Sequence, residues 1–86
     1  MSSELLLQLD PNSKDSLQTQ IVAQLSLAIA KGTIPLNSPM PSSRHLATQL
    51  GVGRNTVMLA YQRLLDDGLI ITHPRRGYFV NPEVER

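Results

Sequence analysis

The sequence predicts a small α+β domain in which three helices are followed by a two-stranded β-hairpin. Three observations predict it. Apolar residues recur at helical spacing in three separate segments. Prolines and glycines interrupt the chain between those segments. Two short β-prone runs near the end flank a loop that contains Pro74 and Gly77. At 86 residues the chain forms one domain with a modest core, so it must fold through compact, local contacts or lean on a partner.

The elements follow in order. Residues 1–13 begin with the apolar stretch Leu5-Leu6-Leu7 and end in the turn-prone Asp10-Pro11-Asn12-Ser13. The leucines suit either an added strand or a partner contact, and their polar flanks favour neither. From about residue 15 to 31, Leu17, Ile21, Leu25, Ala28 and Ile29 recur at spacings of three and four, the period of an amphipathic helix. Lys31 suits the negative end of that helix, and Gly32 supplies its stop. Pro35, Pro39 and Pro41 then exclude helix and make residues 33–41 an irregular connection. Ser42 is an N-cap for a second helix over 43–50, with Leu46, Ala47 and Leu50 on one face. After Gly51-Val52-Gly53, a third helix runs from Arg54 to about Asp67. It carries Val57, Ala60, Tyr61 and Leu64 at i, i+3, i+4 and i+7, and Gly68 ends it. The β-prone runs are 69–72 and 78–80, with His73-Pro74-Arg75-Arg76-Gly77 as the hairpin loop.

The formal net charge of +1 hides an uneven distribution. No acidic residue occurs from Ser16 to Leu65, whereas Lys31, Arg44, Arg54 and Arg63 all fall there, and Arg75 and Arg76 follow. The carboxylates gather at the ends (Glu4, Asp10, Asp15, Glu83, Glu85) and at Asp66 and Asp67. A basic middle suits a polyanion, although many solvated faces are also basic. With no cysteine, disulfides and thiolate metal sites are excluded, and a reducing cytosol suits the chain. No apolar run approaches the roughly 18–20 residues that a membrane span needs, and the N-terminus does not read as a signal peptide.

Residues 43–60 are the most informative. Two helices joined by a three-residue, glycine-containing turn form a helix-turn-helix pattern. Ala47 is small where the helices approach, Gly51 can take the left-handed conformation that ends the first of them, and Val57 fills the core beneath. A generic helical hairpin is the bland alternative for this segment.

Met40-Pro41-Ser42-Ser43-Arg44-His45-Leu46-Ala47, with Leu50-Gly51-Val52-Gly53-Arg54-Asn55-Thr56-Val57 and Ala60-Tyr61, resembles the DNA-binding domain of the GntR family of bacterial repressors. The Pro-Ser-Ser-Arg form and the leading Leu9-Asp10-Pro11 look most like the MocR branch, with the YtrA branch next. The resemblance spans about residues 9–80. It implies a winged helix-turn-helix, with the hairpin as the wing. Two positions depart from the family pattern. Gly53 stands where Ser or Thr usually precedes the recognition-helix arginine, so a hydroxyl that often touches a phosphate is missing. Asn37 replaces a usual glycine, and Asn tolerates positive φ.

In helix-turn-helix docking, the first turn of the second helix enters the major groove. Arg54, Asn55 and Thr56 occupy that turn. Arginine can grip guanine O6 and N7, and asparagine can grip adenine N6 and N7. The resemblance implies that Arg44 reaches the DNA as well. Ser42 and Ser43, with free backbone N–H groups, suit a phosphate. In the wing, Arg75 and Arg76 beside Gly77 fit the minor groove or its phosphates, and His73 is a further candidate. Each has a plainer reading: a solvated arginine, a simple cap, an exposed strand-edge histidine.

Catalysis has no footing. His45 and His73 lie in separate elements with no cysteine or carboxylate pair beside them, so metal binding and acid–base work are not expected. Gly51-Val52-Gly53 lacks the spacing and preceding strand of a nucleotide loop. The expected organisation is an N-terminal arm at 1–14, a winged helix-turn-helix at 15–80, and a tail at 81–86 that begins a linker. The chain is then a fragment or excised domain, cytoplasmic, bound to double-stranded DNA and needing no cofactor of its own. By resemblance, a C-terminal effector domain outside this sequence would sense ligand and provide a homodimer, with pyridoxal phosphate as its cofactor in the MocR branch. The rival expectation is a winged helix used for protein–protein docking, through Met58 and Leu59 on the third helix.

Overall fold

The computed structural model describes residues 7–85. Helices α1 (Leu17–Lys31), α2 (Ser43–Leu50) and α3 (Arg54–Asp66) lead into β1 (Ile70–His73) and β2 (Gly77–Val80), which pair antiparallel. This is the expected α+β order, a winged helix-turn-helix. Leu5 and Leu6 of the leucine run lie outside the described residues.

Ser16 sets the start of α1. Its Oγ accepts a 3.1 Å hydrogen bond from the Thr19 amide, so the helix begins at Leu17 rather than at Asp15. Gly32 ends it at φ 82°. The segment before α1 is clamped to it by two glutamines. Gln24 Oε1 accepts from the Gln8 amide at 2.9 Å while its Nε2 donates to the Gln8 carbonyl at 2.7 Å. Gln20 does the same for Asp10, at 2.7 and 2.8 Å. Four residues of helix rise about 6 Å, close to two residues of extended chain, so the two side-chain amides meet alternate residues. Leu7 and Leu9, on the other side of that alternation, pack against the core.

The helix-turn-helix closes as its spacing requires. Gly51 stands at φ 70°, and the Val52 amide returns to the Ala47 carbonyl at 3.1 Å. Ala47 and Val57, one from each helix, are both buried. The core combines Ile21, Leu25 and Ile29 of α1, Leu46 of α2, Val57, Ala60, Tyr61 and Leu64 of α3, and Ile70 and Val80 of the hairpin.

Two expectations need correcting. The strands run 70–73 and 77–80, so His73 and Gly77 pair with each other, and the loop shrinks to Pro74-Arg75-Arg76. The segment 33–41 is not simply irregular either. The Asn37 amide donates to the Val80 carbonyl (3.0 Å), the Val80 amide to Ser38 (2.9 Å), and the Met40 amide to Tyr78 (2.8 Å), with Pro39 bridged to Phe79. Pro39 and Pro41 lack amide protons, but the intervening Met40 has one, and that suffices for a short third edge. Asn37 does adopt positive φ, 62°, as its tolerance for that region allows.

Beyond β2, Asn81 holds the chain to the body. Its Nδ2 donates to the Gly68 carbonyl at 2.8 Å and its amide to Leu69 at 3.0 Å, and Val84 packs against the core. Among the described residues no helix is long and apolar enough to cross a membrane.

Candidate nucleic-acid interface

The candidate residues fall into three groups: the start of α3, the start of α2, and the hairpin tip. Gly53 precedes α3 in extended conformation (φ −67°, ψ 143°) and offers no side-chain cap. The helix therefore opens with amide donors that no side chain of its cap satisfies, at the positive end of its dipole. Arg54 and Asn55 are exposed in that first turn, Thr56 is half-buried, and Val57 is fully buried. The first turn thus leaves two polar residues exposed while the fourth residue anchors it.

At the start of α2, Ser42 Oγ accepts from the His45 amide at 3.0 Å. Accepting occupies a lone pair, and the hydroxyl proton is left to donate. Ser43 is only 8% exposed, so little of it is open to a ligand. Arg44 is exposed beside it.

The hairpin tip is a tight turn closed by the Arg76 amide on the His73 carbonyl at 3.0 Å. Pro74 occupies the second position, and Arg75 the third at φ 65°, a site that ordinarily favours Gly or Asn. Arg75 and Arg76 are both exposed. Gly77 follows at φ 95°, and a Cβ there would meet nothing within 4 Å, so backbone conformation rather than space asks for glycine. The exposed His73 ring meets Phe79 edge-on, with centroids 4.8 Å apart.

The segment 39–41 joins these groups. The Tyr61 hydroxyl, from the core face of α3, donates to the Pro41 carbonyl at 2.7 Å, immediately before the Ser42 cap. The Tyr61 ring also meets Tyr78 of β2 edge-on at 4.7 Å. One side chain thus fixes α3, the entry to α2 and the wing relative to one another. Burial, with the neighbouring Tyr78 second, pushes the Tyr61 phenol well above the usual tyrosine range, so it stays a donor.

Charge is divided along α3. Arg54 opens it, while Asp66 and Asp67 close it about 18 Å away along the axis. Arg63, counted with the basic middle in the sequence, is turned elsewhere. Its Nη1 donates to Thr19 Oγ1 at 3.0 Å and tethers α3 to α1. Among the described residues no cluster of His, Asp and Glu could hold a metal ion.

Sequence reasoning missed the positioning residues. The Tyr61–Pro41 bond had a faint signal, a tyrosine where the apolar stripe needs only a ring. Gln20 and Gln24 also had one, their spacing of four opposite alternating leucines.

A helix-turn-helix with a hairpin wing, with exposed arginines at two helix starts and at the hairpin tip, defines the DNA-binding module of a transcription regulator. The family model of bacterial regulatory proteins, gntR family, matches residues 17–80. The chain belongs to the gntR family. It is 37% identical over 84 residues to PdxR of Corynebacterium glutamicum, a pyridoxine biosynthesis transcriptional regulator, a match covering 98% of this chain and 18% of that protein. YtrA from Sulfolobus acidocaldarius, a GntR-family transcription factor of solved structure, superposes with a TM-score of 0.85 at 40% identity, covering 91% of this chain and 82% of that one. The AraR DBD in complex with operator ORX1 superposes with a TM-score of 0.74 at 29% identity, covering 86% and 92%. Proteins named YtrA and MocR both stand among the relatives. The chain spans 18% of the length of PdxR and 58% of that of the Bacillus subtilis YtrA. These relatives are transcription regulators, so the chain is a regulator's module and not an enzyme.

Proposed function

We propose that this domain reads a specific operator in double-stranded DNA, with Arg54 and Asn55 on base edges. The observation that carries the reading is the first turn of α3. Both side chains are exposed there, and the turn is immobilised by the fully buried Val57. Arginine can bond guanine, and asparagine adenine, in a bidentate geometry that separates each from other bases. The complex of the AraR domain with its operator supports the same use of this fold.

Thr56, Ser42, the Ser43 backbone and Arg44 then serve the phosphates that flank the groove, and Arg75 and Arg76 hold the neighbouring minor groove or its backbone. Arg75 adds support of its own. A left-handed non-glycine residue costs about 1 kcal/mol, so a cation at that position answers to something other than the turn. His73 and Gly77 shape the tip. On this reading the arm is 1–14, the reading domain 15–80, and 81–86 leads toward an effector domain. That domain would sense the ligand and pair two copies, with pyridoxal phosphate its cofactor if it follows the MocR branch. The 15–80 unit itself needs no cofactor and works in the cytoplasm, where the chromosome is.

The docking alternative draws on the exposure of Met58 and Leu59. The polar first turn beside them speaks against it, since a docking face has no use for Arg54 and Asn55. The test is selection of the 86-residue chain on a random-sequence duplex library. Operator reading gives an enriched motif, and a docking module gives none.

A further inference from the structure

The described residues expose three large hydrophobic side chains: Leu27 on α1, and Met58 and Leu59 on α3. The last two are adjacent, at 45% and 47% exposure, on a helix whose core stripe is already complete with Val57, Ala60, Tyr61 and Leu64. Nearly half of each is left open to solvent. Met58 lies four residues after Arg54, and Leu59 four after Asn55, so each follows the polar residue on its own face by about 5–6 Å.

We propose that Met58 and Leu59 read thymine, packing on C5-methyl groups one helical turn beyond the bases met by Arg54 and Asn55. The inference rests on the operator-reading role proposed above and extends it to a base class. Four residues rise about 6 Å along the helix, nearly two base-pair steps of about 3.4 Å, so the second turn faces the next base pairs of the same groove. The thymine methyl is the apolar group that the major groove presents there, and it is what an apolar side chain can recognise. No carboxylate intervenes on α3 before Asp66 to repel the flanking phosphates. A protein seated on Met58 and Leu59 would also cover Arg54 and Asn55, so it would exclude DNA rather than share the helix.

The experiment uses the 86-residue chain and the duplex it enriches from a random library, with each thymine replaced singly by uracil. The exchange removes one methyl and leaves the hydrogen-bonding edge intact. A thymine within about three base pairs of the site read by Arg54 or Asn55 is expected to lose about fourfold in affinity when demethylated. Met58→Gln or Leu59→Gln is expected to abolish that loss. Both side chains are exposed, and circular dichroism checks that the variants stay folded. If no thymine responds to demethylation, or if both variants respond as the parent does, the proposal is wrong while operator reading stands. If the library yields no motif at all, operator reading fails and this proposal fails with it.

Discussion

Tyr61 and Pro41 are joined by a 2.7 Å hydrogen bond, from the phenol of the third helix to the last carbonyl before the second. The Tyr61 side chain is fully buried and Pro41 half-buried, so the bond is only partly open to competition from water. Tyr61→Phe would keep the ring and leave the Pro41 carbonyl without its donor. A loss of about 1–3 kcal/mol in unfolding free energy is expected, read by urea titration. An unchanged midpoint would mean that the carbonyl finds another partner.

The same phenol gives the domain a limit at high pH. Burial raises its folded pKa above the unfolded value, so folding favours the neutral form. Below about pH 10 both states are protonated and the contribution is whole. Above it the unfolded chain loses the proton first, and stability falls as pH rises. Thermal unfolding between pH 8 and roughly 11.5 should show that fall. It should be shallower in Tyr61→Phe, and parallel curves for the two proteins would assign it to other groups.

Gly53 is a cap without a side chain, yet its backbone is ordinary for any residue. A Cβ there would meet only Thr56 Oγ1, at 3.9 Å. Gly53→Ser is therefore expected to stabilise the domain by about 0.5 kcal/mol, through a capping bond and a less flexible unfolded chain. Its hydroxyl should also tighten binding to all DNA sequences alike. A destabilised Gly53→Ser domain would show that the turn needs more freedom than its φ of −67° implies.

Arg75 makes the opposite trade. At φ 65° it occupies a position that asparagine tolerates better. Arg75→Asn should keep or slightly raise the melting temperature, weaken binding to every duplex, and lower the salt slope by about one. A variant that binds DNA as tightly as the parent would remove Arg75 from the interface.

What was legible in the sequence followed from local chemistry. Helix α2 matched its expected bounds because Ser42 and Gly51 are decisive at its two ends, and the buried stripe of α3 followed from its spacing. Asp15 is one residue from the true cap, Ser16, and the two side-chain oxygens cannot be told apart as caps without the Thr19 amide in view. The edge at 37–40 was hidden because prolines argue against strand, and only long-range pairing with Tyr78 and Val80 supplies its bonds. The candidate contacts Arg54, Asn55, Arg75 and Arg76 were visible as residue types in a motif. The burial of Ser43 and the diversion of Arg63 to Thr19 were not, because both depend on tertiary packing, for Arg63 against a helix distant in sequence.

Base reading by the first turn of α3 is tested most directly by binding titrations on the enriched operator and a scrambled duplex, at several salt concentrations. Arg54→Ala and Asn55→Ala should each cost about 1–3 kcal/mol on the operator and little on the scrambled duplex, flattening the preference. The double variant Arg75→Ala, Arg76→Ala should weaken both duplexes together and lower the salt slope by about two. The reverse pattern, with preference lost in the wing variant and kept in Arg54→Ala and Asn55→Ala, would take operator reading away from the third helix.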